Sequence, residues 1–260
     1  MKTEILSSLK NPRIQAFRSL KDRKGRQAAR AFLAEGDKMT GEALASGWPV
    51  EALLIREDRW NRKELPENAA ERIRADLPAY VLPERVFDAL SDTRTPQGIA
   101  AVVQIRPRAP EGGHLVALDG VQDPGNVGTI LRTADAAGLD GVILGPDCAD
   151  VFSPKTLRAT MGSIFRMGML FPEDLAGCLG RLRQEGYSIL STQLDGEPFY
   201  HRQGVAEKWA LVIGSEGNGV SPGVRAQATH RLRLPMRGGA ESLNAAIAAG
   251  IMMYEMTRED

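Results

Sequence analysis

Apolar and polar positions follow two rhythms along the chain, and the changes of rhythm mark its elements. Short apolar runs bounded by turn residues predict strands at Ala31–Gly36 (AFLAEG), Val50–Arg56, Ala79–Leu82 and Gly98–Ile105 (GIAAVVQI). Helical spacing lies between them. Asn11-Pro12 opens a helix whose face is Ile14, Phe17 and Leu20, and further helices are predicted over Lys38–Ser46, 66–77 and Glu84–Leu90. Lys21–Arg30 (KDRKGRQAAR) mixes a glycine with charges and reads as a loop or frayed helix.

Residues 106–113, RPRAPEGG, hold two prolines, two glycines and three charges, which predicts a linker. It separates a first unit, 1–105, from a second, 114–260. In the second, strands are expected at His114–Gly120, Gly141–Gly145, Ile164–Phe171, Tyr187–Leu194, Trp209–Gly214 and Arg231–Met236. Helices are expected at Asn126–Leu139, Lys155–Gly162 and Leu175–Glu185, with a short piece near Ser221–Ala228 and a closing helix that opens at Glu241. Apolar strands alternating with helices predict an α/β fold, the second unit holding a mostly parallel sheet covered on both faces.

Composition narrows the class. With 43% hydrophobic and 25% charged residues the chain is that of a soluble globular protein. Two distant cysteines, Cys148 and Cys178, and three histidines argue against a zinc site or a disulfide framework and fit a reducing cytoplasm. The charged N-terminus lacks a signal-peptide pattern, and no apolar run is long enough to span a membrane. The zero net charge hides an asymmetry: residues 1–30 carry nine Lys/Arg against Glu4 and Asp22. Such a density suits an anionic polymer, through displacement of counterions, or equally a solvated helix surface.

Ligands of open α/β sheets gather at the carboxyl ends of strands. Three such ends carry unusual residues. In Asp119–Thr133, DGVQDPGNVGTILRT, a Pro-Gly turn delivers Asn126 to a helix start, with Arg132 six residues on. A forked guanidinium there suits a phosphate or carboxylate, or else a salt bridge to Asp135 or Asp119. IGSEGNGVSP places Gly214, Gly217 and Gly219 around Glu216, which lets backbone lie against a ligand but matches neither the dinucleotide fingerprint nor a P-loop. The third end is the stretch Leu232–Asp260, where Ser242 and Asn244 stand at the mouth of a helix so apolar that little of its surface can face water. Alone, they read first as helix caps and second as a ligand site.

Taken in order, NVGTILRTADAAG, VIGSEGNGVSP and LPMRGGAESLNAAIAAGIMMYE resemble the three signature motifs of the SPOUT superfamily, TrmH-type RNA 2′-O-ribose methyltransferases, over roughly 114–258. SLKNPRIQAFRSLKDRKGR, AFLAEG and TPQGIAAVV resemble the ribosomal-protein-like substrate-binding domain that many members carry in front. The resemblance implies an α/β catalytic domain with a C-terminal trefoil knot, S-adenosylmethionine bound bent within it, and a homodimer. Asn126, Arg132, Glu216, Ser242 and Asn244 fall on the functional residues of the motifs. Cofactor contacts would come from Thr192, Gly214, Leu234, Met236 and Leu243, largely through backbone. Leu234 stands where Ile is frequent and Ala245-Ala246 where Val-Ser is frequent; neither removes a side chain with a chemical role.

The expected reaction is methyl transfer from S-adenosylmethionine to a ribose 2′-hydroxyl without a metal. Arg132 would bind the neighbouring phosphate and orient the hydroxyl, since a guanidinium is almost never neutral. The basic front, through Lys10, Arg13, Arg18, Lys21, Arg23, Lys24 and Arg26, would grip structured RNA by backbone and shape. Ribosomal RNA is favoured over transfer RNA by analogy with ribosome-directed members. The rival readings are a transfer RNA methyltransferase and a non-catalytic RNA-binding protein of the same fold. A nucleotide-dependent oxidoreductase is disfavoured by the missing fingerprint.

Overall fold

The computed structural model describes residues 3–258. In chain order these form β1 (Thr3–Ile5), α1 (Pro12–Ser19), α2 (Arg23–Ala29), β2 (Ala31–Glu35), α3 (Asp37–Ala45), β3 (Val50–Arg56), α4 (Glu57–Arg62), α5 (Glu67–Arg74), β4 (Ala79–Leu82), α6 (Glu84–Leu90) and β5 (Ile99–Gln104). There follow β6 (His114–Asp119), α7 (Pro124–Ala136), β7 (Gly141–Leu144), α8 (Pro154–Thr160), β8 (Gly168–Leu170), α9 (Leu175–Gln184), β9 (Ser188–Pro198), β10 (Trp209–Gly214), α10 (Pro222–Arg225), β11 (His230–Arg233) and α11 (Ala245–Met256).

Two compact units result. The first takes the described residues through Arg106 together with Asp150–Arg166; the second takes Pro107–Ala149 and Met167 onward. In the first, the strand order is β1-β4-β3-β5-β2, with β5 antiparallel to both its neighbours and the other pairs parallel. Ile14, Leu54, Leu82 and Phe87 lie in its core. The stretch 150–166 completes this unit by burying aromatic surface, a burial worth about 2 kcal/mol for a whole ring. Phe152 packs 5.3 Å from the fully buried Phe32, and Phe165 lies edge-on to Trp48 at 5.7 Å.

The second unit has a six-stranded sheet, order β11-β9-β10-β6-β7-β8, parallel throughout. Parallel strands are buried on both faces, which is why they read as unbroken apolar runs. Leu115, Ile143, Val212 and Leu179 share one core cluster. The segment expected to be a linker packs against this sheet. Arg108 O accepts from Met169 N at 2.7 Å, and a Cβ on Gly141 or Gly168 would come within 2.5–2.6 Å of Pro110.

Some elements differ from the sequence reading. Of the two readings of Lys21–Arg30, loop or frayed helix, the structure takes the second, a helix over Arg23–Ala29, because Gly25 lets it pass against Ser19, whose carbonyl oxygen would sit 2.0 Å from a Cβ there. β1 and α4 were not anticipated. Within Ile164–Phe171 a 3-10 turn, Ser163–Phe165, precedes the three-residue strand β8. β9 runs on into the polar stretch as far as Pro198, and β11 stops at Arg233, leaving Leu234–Met236 outside the sheet. α11 begins at Ala245, so Glu241–Leu243 lie in the preceding loop.

Candidate active site

β6 and β10 are paired so that Gly214 lies opposite Asp119, and both strands end there. Beyond β6 the chain turns through Asp123, whose Oδ1 caps α7 by accepting from Asn126 N at 2.8 Å; Pro124 fits the first helical position. Asn126 is thereby set in the first turn of α7. Beyond β10 the chain folds into a tight hairpin, in which Ser215 and Gly219 exchange backbone hydrogen bonds of 3.0 and 2.9 Å. Glycine at 214 is required, since a Cβ would come within 2.2 Å of the Gly219 backbone. Glu216 sits at the hairpin tip.

The third motif meets the other two here. Asn244 caps α11, its Oδ1 accepting from Ala246 N at 2.9 Å and Ile247 N at 3.3 Å. That fixes the orientation of its amide, because oxygen must face the helix N–H groups. Its Nδ2 then donates to Asn126 Oδ1 at 3.0 Å, and Asn126 Nδ2 donates to Glu216 Oε1 at 2.6 Å. A directional chain thus runs from a helix N-terminus to a carboxylate across residues far apart in sequence. The cap reading of Asn244 holds, and the same side chain joins the cap to Asn126.

Arg132 is exposed on α7 and stands outside this chain, about 9 Å further along the helix axis. Ser242 is exposed in the loop before the cap. The residues expected to hold a cofactor border the same strand ends. Thr192 donates its hydroxyl to Val212 O at 2.9 Å, which pins the start of an excursion in β9. There the register against β11 jumps from Arg231↔Ser191 to Leu232↔Glu197, and Arg233 Nε closes the far side by donating to Gly196 O at 2.9 Å. Leu234 and Met236 are half-buried, while Leu243 is exposed. Among the described residues, Leu234–Leu243 makes no backbone–backbone hydrogen bond. At Leu234–Met236, where the residues are half-buried, such unpaired backbone suits the polar edges of a nucleoside.

From the sequence, Asp119 is expected only as a salt-bridge partner of Arg132. Its Oδ2 instead accepts from Ser221 N at 2.6 Å. In the sequence, an acid closing an apolar strand was the one signal of that role.

Of the basic residues expected on RNA, Lys10, Arg13, Arg18, Arg23 and Lys24 are exposed, with Arg13 paired to Glu4 and lying over the Tyr80 ring. Lys21 is half-buried and donates to Ser91 O at 2.7 Å. Arg26 does not belong with them. It is 4% exposed, its Nη1 donates to Leu20 O and Lys21 O, and its Nε and Nη2 donate to Asp150. With four of its five N–H groups bonded and the side chain buried, this guanidinium offers no open face to a phosphate.

Residues 113–254 match the SpoU rRNA Methylase family, and residues 11–101 match the MRM3-like substrate binding domain. The chain is 35% identical to the 23S rRNA (guanosine(2553)-2′-O)-methyltransferase RlmP of Bacillus subtilis, with 96% of this chain and 98% of that protein covered. It is also similar to the AdoMet-bound rRNA methyltransferase of Sinorhizobium meliloti, with a TM-score of 0.85 at 32% identity over 98% and 97% of the two chains. Against the SpoU methyltransferase AviRb of Streptomyces viridochromogenes, solved with AdoMet, the TM-score is 0.82 at 29% identity over 95% and 97%. Both the length and the three joined motifs are accounted for in one way: the chain belongs to the SpoU rRNA methylase family.

Proposed function

We propose that the protein transfers the methyl group of S-adenosylmethionine to a ribose 2′-hydroxyl of ribosomal RNA, acting as a homodimer in the cytoplasm. The observation that carries this is the Asn244–Asn126–Glu216 chain, which draws all three motifs to the carboxyl ends of neighbouring parallel strands. Whole-length similarity to a ribosomal RNA methyltransferase favours that RNA over transfer RNA.

When bound, S-adenosylmethionine supplies a sulfonium methyl open to in-line displacement. The backbone of Gly214, Leu234, Met236 and Leu243 and the excursion starting at Thr192 form its cradle, and positioning is what such a cradle contributes most readily. Asn126 and Glu216 hold the mouth of the site in register, and Ser242 and Asn244 line the substrate side. Arg132 directs its forked donors at the phosphate beside the target ribose and orients the hydroxyl. Because a guanidinium stays charged in proteins, the hydroxyl proton passes to that phosphate rather than to Arg132. Arg132→Lys tests the geometry: it should keep part of the RNA affinity but lose most turnover, and near-normal methylation would discard the fork.

Lys10, Arg13, Arg18, Arg23 and Lys24 supply phosphate contacts from α1, α2 and the turn before α1. The dimer is supported by α11, where Ile247, Ile251 and Tyr254 form a stripe 38–55% exposed at helical spacing. Ile247→Asp should yield monomers in sedimentation; a variant that stays dimeric would move the interface elsewhere. The knot belongs to the same reading, supported by the return of α11 onto α7 after the 234–244 loop. Among the described residues no helix is long and apolar enough to cross a membrane, and Cys148 and Cys178 are free and buried, which fits a reducing compartment.

Mapping 2′-O-methyl positions in ribosomal and transfer RNA with and without the gene tests the substrate. One mark lost from ribosomal RNA is expected. A mark lost from transfer RNA would replace the substrate, and no lost mark would overturn the assignment.

A further inference from the structure

Asp119 holds both ends of the hairpin that carries Glu216. On the entering side, its backbone faces Gly214 in the β6–β10 ladder. On the leaving side, its carboxylate accepts from Ser221 N at 2.6 Å. Between these points the hairpin is closed by the Ser215–Gly219 pair and steadied by Asn218 N donating to Ser215 Oγ at 3.1 Å. Gly120, with φ +70°, carries the chain past Ser215, whose Cβ would lie 3.7 Å from a side chain placed there. The segment 214–221 is thus a loop stapled at one residue, and its tip delivers Glu216 to Asn126.

From this closure we infer that Asp119 is a positioning residue for the methyl transfer: its carboxylate latches Ser221 and so sets where Glu216 stands. The inference rests on the functional reading of Glu216 given above. It assigns Asp119 a hydrogen-bond acceptor's work, not contact with RNA or cofactor. Loss of the latch leaves the strands intact but lets the hairpin tip wander. Misplacement of a site group by about 1 Å lowers turnover by roughly a hundredfold.

The chain offers a test from each side of the bond. Asp119→Ala removes the acceptor, and Ser221→Pro removes the donor at a residue whose φ of −64° already suits proline. Asp119→Asn keeps an oxygen that can accept. Methyl transfer from labelled S-adenosylmethionine to ribosomal RNA of cells lacking the gene is measured for each, with circular dichroism and thermal midpoints as fold controls. Asp119→Ala and Ser221→Pro should each lower kcat by roughly ten- to a hundredfold with KM for S-adenosylmethionine held, and Asp119→Asn should return to within about threefold of the parent. In a Glu216→Ala background, Asp119→Ala should add nothing further. Additive losses, or Asp119→Asn as poor as Asp119→Ala, would overturn the latch. Should Asp119→Ala fail to fold, Ser221→Pro decides alone, full activity overturning the latch. Full activity of Glu216→Ala would instead remove the reading of Glu216 on which the latch depends.

Discussion

Two polar networks tie together residues far apart in the sequence, and they have opposite characters. In the first unit Arg26 reaches Asp150, 124 residues away, with Nη2 2.6 Å from Oδ2, and its remaining bonds go to Leu20 O and Lys21 O. That network is closed: Arg26 is 4% exposed and four of its hydrogen bonds are made. In the second unit Asn244, Asn126 and Glu216 are linked at strand ends by one bond per step, and Glu216 and Asn244 are exposed. Each amide nitrogen keeps a second hydrogen, and Asn126 Oδ1 and Glu216 Oε1 each accept one bond and keep a second lone pair. A buried network with nearly all its donors bonded fixes structure, whereas an ordered network with spare valences at a surface can hold a ligand. Burial and satisfaction separate the two better than residue type does, since the arginine belongs to the closed network and the plain amides to the open one.

The closed network should show the largest effect. Removing one partner of a buried pair leaves the other uncompensated, so Arg26→Ala should lower stability by about 3 kcal/mol in urea unfolding. Asp150→Ala should do nearly the same, because Arg26 would keep its charge while losing its counter-charge. The stretch 150–166 also supplies Phe152 and Phe165 to the first unit, so residues 1–106 alone should fail to give a cooperative transition. A well-folded excised fragment would show that the unit does not need that stretch.

The open network should respond in activity and not in stability. Asn244→Asp keeps the cap, since aspartate accepts from Ala246 N and Ile247 N as well as asparagine does. It cannot donate to Asn126, so the chain to Glu216 is cut. Methylation should fall by roughly ten- to a hundredfold with an unchanged thermal midpoint. Asn244→Ala loses the cap as well, at about 1 kcal/mol. Equal activity of the Asp variant and the parent would reduce Asn244 to a cap.

What the sequence made legible follows from how local each signal is. Apolar runs such as GIAAVVQI and WALVIG predicted their strands because fully buried parallel and central strands carry their own evidence. Arg23–Ala29 stays open between loop and frayed helix in the sequence because Gly25 looks like a helix breaker until Ser19 is seen pressing on it. The start of α11 was placed too early, since Asn244 and Ser242 are both plausible caps and only the bonds to Ala246 and Ile247 choose between them. Motif resemblance found Asn126, Glu216 and Asn244, but neither their mutual bonds nor the part of Asp119 could be read from a line of residues. Charge density likewise put Arg26 among the RNA contacts because the partner that buries it, Asp150, lies far along the chain.

The smallest expected effect is also the one that tests the comparison most directly. Each lysine or arginine that meets a phosphate adds about 0.9 to the slope of log affinity against log salt. Arg18→Ala and Lys24→Ala, at exposed positions, should each flatten that slope by about one and weaken all RNAs alike. Arg26 can be examined without unfolding the unit by replacing both partners, as Arg26→Met with Asp150→Leu. Apolar substitution of a whole buried pair is often neutral, where loss of one half is not. The double variant should fold and keep the parent slope, although it has lost an arginine from the most basic stretch of the chain. A flatter slope would mean that Arg26 leaves its buried site to meet RNA, and that the closed network opens on binding.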